Sequence, residues 1–344
     1  MTMARIDTGY RCFGETIWIR SLESGLQRIP NDAFDIRFGK SITRSSPAIW
    51  DEIRQDFIHN AHPIPVHSHN DYLRRIPLFE ALGSGCVSVE ADVHSAKGDL
   101  LVGHSARGLH KDASLRNMYL NPLQRMLVRQ NAMTSADEAS RGIFTREPSR
   151  SVVLLVDQKS NGPETFAELY KQLQPLRDLD YLTYWNGTDR ITRPLTIVAT
   201  GKTPFESVLA LPNDHRDIFW DAHLERLPST QDNFSVDPPL FKYNRSNSHY
   251  ASTQYRNAMF RGWRDIHYEN VEQPTPGPTW NDIRGSQLEQ AASRGLLTRY
   301  WDAPAGPPNL RDIVWRNLVD EKVDVINMDD MGVVRDRARG WGRG

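Results

Sequence analysis

The sequence predicts an α/β chain folded as a TIM-type (β/α)8 barrel. Three observations lead there. From Ile64 to Asp330, short β-branched runs alternate with amphipathic segments, the pattern of βα units around a parallel sheet. Runs such as VVLLV are apolar throughout, as strands buried on both faces are. The span matches the ~250 residues usual for such a barrel. A doubly wound open sheet is the alternative, but no glycine-rich nucleotide loop follows the first strand.

Residues 1–60 lack strong periodicity and read as an N-terminal extension. Residues 61–335 form the barrel and residues 336–344 an arginine-rich tail, expected to be a solvated end. The first strand is IPVHS, followed by a helix beginning near Pro77 in PLFEALGSG. Next comes the strand CVSVEADV, then the short apolar run GDLLVGHS. The third barrel strand, SVVLLVDQKS, leads into NGPETFAELYKQLQPLRD. There Pro163 suits a first helical position, and Phe166, Leu169, Tyr170 and Leu173 form one buried stripe. LTIVATG precedes TPFESVLAL, whose Thr203 and Glu206 have capping-box spacing. DIFWDAHL, LLTRYWDAP and VDVINMDD supply three more strands, with PNLRDIVWRNLVDEK before the last of them. That makes seven strands. The eighth falls in the polar stretch NSHYASTQ, which has weak strand character of its own.

Composition narrows the function. The chain has 344 residues, 25% of them charged, and a net charge of −1, so no electrostatic grip on nucleic acid is expected. No apolar run approaches the ~20 residues of a membrane span, and no signal-type segment opens the chain. The two cysteines, Cys12 and Cys86, have neither disulfide-framework nor zinc-site spacing. A soluble chain in a reducing, intracellular setting is the expectation, with membrane-surface contact and secretion left open.

Catalytic groups of a parallel barrel gather at the C-terminal ends of its strands. Three strands here end in chemistry. The first ends in His67-Ser68-His69-Asn70-Asp71. The second carries Glu90 and Asp92, which period two places on one face, with His104 beyond. The third ends in Asp157-Gln158-Lys159, again with Asp157 and Lys159 on one face. Singly, each has a plain structural reading: a mouth-lining pair, a loop histidine, a turn closed by Asn70 and Asp71, an ion pair. Together, at the ends of the first three barrel strands, they read as a site. Three carboxylates, Glu90, Asp92 and Asp157, are hard ligands suited to Mg²⁺, with Ca²⁺ and Mn²⁺ fitting the same donors. Two imidazoles beside such an ion suit phosphoryl chemistry, one taking a proton or attacking and the other protonating the leaving oxygen. Lys159 would neutralise charge growing on phosphorus oxygens.

At these residues the sequence resembles the phospholipase-C-like phosphodiesterase superfamily, which contains glycerophosphodiester phosphodiesterases and venom-type phospholipases D. The shared pattern is a His after the first strand, E-x-D after the second, a His beyond it and an acid after the third. Here those are His67, Glu90 with Asp92, His104 and Asp157. The Asp157-x-Lys159 and His67-x-x-Asn70 pairs look like the venom-type branch. So does Trp301, matching a pocket Trp near the seventh strand. PIPVHSHNDYLRRIPLFEALGSGCVSVEADV and DLLVGH resemble most a fungal group named for altered inheritance of mitochondria, over about residues 60–160. The resemblance implies Mg²⁺ on Glu90, Asp92 and Asp157, His67 and His104 as the catalytic pair, and cleavage of a glycerophosphodiester or (lyso)phospholipid-type substrate. His69 is the second choice for His67, or a partner orienting the carboxylates. His69, Asn70 and Trp301 are the expected substrate contacts. The H-R-G and P-E-N-T signatures of glycerophosphodiesterases and the cysteine-stapled loop of venom enzymes are absent, and Asp329 stands where venom enzymes carry Asn. The competing reading is a non-catalytic barrel that binds a lipid headgroup or a protein.

Overall fold

A computed structural model describes residue 58 and residues 61–135, 138–227, 243–258, 280–332 and 334. The expected extension (apart from residue 58) and the expected tail lie outside these residues. Eleven strands occur among them: β1 (Ile64–Ser68), β2 (Cys86–Ala96), β3 (Asp99–Val102), β4 (Val152–Gln158), β5 (Tyr184–Trp185), β6 (Arg190–Ile191), β7 (Leu195–Gly201), β8 (Ile218–His223), β9 (Ser248–Gln254), β10 (Leu297–Trp301) and β11 (Val325–Met328). Eight of them, β1, β2, β4, β7, β8, β9, β10 and β11, pair in parallel in chain order, and β1 pairs with both β2 and β11. The sheet is therefore closed, as the alternation predicted, and the open-sheet alternative is excluded. The strand in NSHYASTQ is β9, paired with β8 and β10. Its polar residues are explained by position: Tyr250 and Ser252 face the barrel interior, where they meet other polar groups.

The helices on the outside include α1 (Phe79–Gly83), α2 (Asn121–Gln130), α3 (Gly162–Gln172), α4 (Gln174–Asp178), α5 (Phe205–Leu209), α6 (Trp280–Ser293) and α7 (Pro308–Asp320). No helix among the described residues is long and apolar enough to cross a membrane. In α3, Pro163 lies in the first turn and Phe166, Leu169 and Leu173 are buried, while Tyr170 is at the edge of the stripe under the Arg177 guanidinium. The lower barrel interior is packed by Val153, Leu155, Val198, Tyr250 and Val325.

Several local expectations need correction. Strand β2 runs on to Ala96, because its last four residues pair antiparallel with β3 and form a flap beside the barrel mouth. The capping box at Thr203 and Glu206 does not form. Pro204 holds the N-cap position, and the Thr203 hydroxyl donates back to the Thr200 carbonyl at 2.8 Å. Helix α1 starts at Phe79, two residues later than expected. Its entry is tied by the buried Asp71, whose Oδ2 accepts the Leu78 N–H at 2.6 Å and the Tyr119 hydroxyl at 3.0 Å, while Oδ1 accepts from Ser68 at 2.8 Å. Finally, β1 stops at Ser68, so His69 does not continue the strand. Asn70 adopts the left-handed conformation (φ 49°, ψ 42°), which Asn tolerates better than most residues, and turns the chain into the short helical turn Asp71–Leu73.

Candidate active site

The end of β1 decides how the histidines divide. His67 is the last inward-facing residue of β1, and its side chain is 0% exposed. Both ring nitrogens are engaged: Nε2 lies 2.9 Å from Glu90 Oε2 and Nδ1 lies 2.7 Å from Ser88 Oγ. Burial and the nearby Arg299 charge push its pKa down to about 4, so the ring is neutral at physiological pH. With its one proton on Nε2 toward the carboxylate, the Ser88 hydroxyl donates to Nδ1 and itself accepts from the Tyr250 hydroxyl at 3.0 Å. His67 thus lies beneath Glu90 and holds it.

His69, lifted off the strand by the turn, stands at the mouth instead. Its Nδ1 lies 2.9 Å from Asp329 Oδ1, just past β11. Burial pushes the imidazole down, but Glu90 and Asp329 outweigh it and raise the pKa to about 9. Arg74 closes this corner by donating to the Asp329, His69 and Met328 carbonyls. The second histidine, His104, follows β3. Its Nδ1 lies 3.0 Å from Asp92 Oδ2, and 58% of the side chain is exposed. The hydrogen bond to Asp92 raises its pKa against a smaller desolvation effect.

Glu90 and Asp92 share the inward face of β2, and Asp157 lies beside Asp92 in the β2–β4 register. Each of the three offers an oxygen within 4.8 Å of the other two. Glu90 Oε2 is held by His67, with Arg299 Nη1 at 3.7 Å. Asp92 Oδ2 accepts from the Tyr72 hydroxyl at 2.8 Å and meets Lys159 Nζ at 3.2 Å. Asp157 Oδ2 accepts from Lys159 at 2.7 Å. The buried Oδ1 atoms of Asp92 and Asp157 have no hydrogen-bond partner among the described residues. Burial outweighs the pull of Lys159 and, with the smaller repulsion of Glu90 and Asp92, lifts the Asp157 pKa to about 6. Two unpartnered buried oxygens among three converging carboxylates are a donor set that would suit a divalent cation. The donors are hard and all oxygen, as Mg²⁺, Mn²⁺ or Ca²⁺ prefers.

Of the remaining expected residues, Asn70 adjoins His69 and Tyr72, while Trp301 is placed only by its strand. The Asn70 amide lies beside the His69 ring, and its Oδ1 is 2.8 Å from the Tyr72 hydroxyl. Trp301 ends β10, partly exposed and on the same face as Arg299. Three residues were not anticipated. Arg299 is buried in the interior, donating to Ser252 Oγ (3.1 Å), Asn327 Oδ1 (2.9 Å) and Asp221 Oδ2 (3.2 Å). An arginine inside a strand buried on both faces was the available signal, since such a charge requires partners. Tyr72 and Ser88 carried none, because an ordinary Tyr after a turn and a Ser within a strand look structural.

The chain is similar to several known proteins. A sequence model of the AIM6-like phosphodiesterase domain matches residues 55–221. The altered inheritance of mitochondria protein 6 homolog of Arthroderma benhamiae is 33% identical over 282 residues, covering 79% of this chain and 83% of that protein. Altered inheritance of mitochondria protein 6 of Eremothecium gossypii is 34% identical over 277 residues, covering 78% and 68%. The Saccharomyces cerevisiae protein of that name is 31% identical over 289 residues, covering 79% and 70%. Among solved structures, a glycerophosphoryl diester phosphodiesterase from Parabacteroides distasonis is 12% identical with a TM-score of 0.41, covering 83% of this chain and 90% of that one.

Proposed function

The chain belongs to the altered inheritance of mitochondria protein 6 family and carries its AIM6-like phosphodiesterase domain, and from that premise we propose that it is a Mg²⁺-dependent phosphodiesterase acting on glycerophosphodiester or (lyso)phospholipid-type substrates. One observation carries the reading: three converging carboxylates with two unpartnered buried oxygens, flanked by two histidines, His69 oriented by Asp329 and His104 by Asp92 itself.

Glu90, Asp92 and Asp157 would hold the ion, with Mn²⁺ and Ca²⁺ as alternatives. When bound, it supplies positive charge against a non-bridging phosphoryl oxygen. The protein groups do the rest. Glu90 and Asp329 keep His69 protonated, and Asp329 fixes its ring, which suits it to donate a proton to the leaving oxygen. His104, held by Asp92 and reachable from solvent, takes the proton of the attacking hydroxyl. That hydroxyl forms the new P–O bond as the old ester bond breaks. Water as nucleophile gives a monoester, and a neighbouring substrate hydroxyl gives a cyclic phosphate. Lys159 bridges Asp92 and Asp157 and adds positive charge beside the phosphoryl position. In this reading His67 passes from catalytic group to positioning group, because neither of its nitrogens is free to reach a substrate.

The test is ³¹P NMR of the purified chain with Mg²⁺ and a panel of glycerophosphodiesters, lysophosphatidylcholine and sphingomyelin, with EDTA and His69→Ala controls. A new resonance that needs Mg²⁺ and His69 is the expected result, and its shift separates monoester from cyclic product. Metal-dependent retention of a substrate without turnover would favour the binding-module alternative.

A further inference from the structure

We infer that Gly201, on the strand beside Asp157, is a positioning residue that leaves room for the Asp157 carboxylate in the orientation that keeps it within reach of Glu90 and Asp92; this rests on the metal-site reading above. In the parallel β4–β7 register, Asp157 lies beside Thr200 and Gln158 beside Gly201. At Gly201 the chain takes φ +69°, and the following Lys202 N–H donates to the Gln158 carbonyl at 2.8 Å. The end of β7 is thus hooked onto the end of β4, directly under the carboxylate. A Cβ on Gly201 would lie 2.0 Å from Asp157 Oδ1, 2.8 Å from the Gln158 oxygen and 3.0 Å from the Gln158 nitrogen. The first distance is far inside van der Waals contact, and the atom concerned is the buried oxygen with no hydrogen-bond partner among the described residues.

The consequence is specific. Asp157 Oδ2 is tied to Lys159, so the carboxylate cannot swing freely away from a new Cβ. The carboxylate must rotate away from the orientation that brings it within 4.8 Å of Glu90 and Asp92, or β4 must shift at its end. Either movement spoils one of the three ligands. Glycine here meets a left-handed backbone, a close approach of the Gln158 backbone and an absent side chain beside a candidate ligand carboxylate. Gly98 separates them. It also has a positive φ, +78°, but a Cβ there meets nothing within 4 Å.

The experiment is Mn²⁺ titration of the full chain, read by loss of the free-ion electron paramagnetic resonance signal, for wild type, Gly201→Ala, Gly98→Ala, Asp157→Ala and the Asp157→Ala/Gly201→Ala pair. Thermal melts run beside it. The expected result is at least ~10-fold weaker Mn²⁺ binding in Gly201→Ala, the loss typical when a group that orients a ligand is removed. Gly98→Ala should bind like wild type, and the double variant like Asp157→Ala alone. Equal affinity in wild type and Gly201→Ala would overturn the inference while leaving the metal site standing. A wild type that binds no divalent cation would overturn the metal-site reading and this inference with it. If Gly201→Ala does not fold, the double variant decides: recovered folding supports the clash with the carboxylate, and continued failure overturns it in favour of a purely backbone requirement.

Discussion

At the scale of single residues, the division of labour between His67 and His69 is the sharpest consequence of the geometry. If His67 orients a ligand, as proposed, His67→Gln should weaken Mg²⁺ affinity by about 10–100-fold and regain most of its turnover at excess Mg²⁺. If His69 acts on the substrate, as proposed, His69→Ala should lower kcat by about 10²–10⁴ at any Mg²⁺ concentration. Steady-state rates over a Mg²⁺ series check both. The two residues have the same spacing to the rest of the motif within two positions, and alternation alone puts them on one side. What separates them is a backbone event, the end of β1 and the left-handed Asn70, and no residue type announces where a strand lets go of its neighbour. The carboxylates were legible because period two within β2 and β4 is enforced by the sheet itself. Arg299 was legible in principle, as a charge that a closed barrel cannot leave unpaired.

At the scale of elements, the β1–α1 connection is a buried hydrogen-bonded corner. Asp71 accepts from Ser68, Leu78 N–H and Tyr119 at once, and burial raises its pKa. Asp71→Ala would leave three buried donors without an acceptor. A loss of about 2–4 kcal/mol in urea unfolding is expected. Asp71→Asn, which keeps an acceptor oxygen, should lose less. The reading of Asn70 and Asp71 as turn formers therefore described their local work, while their role in lifting His69 to the mouth lies in the tertiary arrangement. Strand β9 shows the same limit from the other side. Its polar sequence looked unlike a strand because Tyr250 and Ser252 are chosen for the polar interior beneath the site, not for strand propensity. The failed capping box at Thr203 has a simpler cause, since Pro204 takes the N-cap and the hydroxyl finds a nearer carbonyl.

At the scale of the whole molecule, closure of eight strands in chain order follows from the βα alternation. Global stability should carry a pH signature from a group away from the site. His249, on β9, has its Nδ1 3.0 Å from Arg190 Nη1, and burial together with that cation depresses its pKa to about 3. In the unfolded chain the pKa returns to about 6.5. Between these values the unfolded state holds more protons, so stability rises with pH. The contribution is full above pH ~6.5 and is lost as the pH falls toward 3, with a slope approaching ~1.4 kcal/mol per pH unit. Urea midpoints for wild type and His249→Gln between pH 4 and 7 check this, and the variant should show the shallower decline.

The central claim is that a phosphodiester meets a cation held by Glu90, Asp92 and Asp157. The most direct measurement is the ³¹P relaxation of a slowly cleaved phosphodiester in the presence of the Mn²⁺-loaded chain. Strong paramagnetic broadening in wild type, abolished in Asp92→Asn together with at least ~10-fold of the Mn²⁺ affinity, is the predicted result. Mn²⁺ bound at full strength in Asp92→Asn, or bound in wild type without broadening the phosphorus signal, would contradict it.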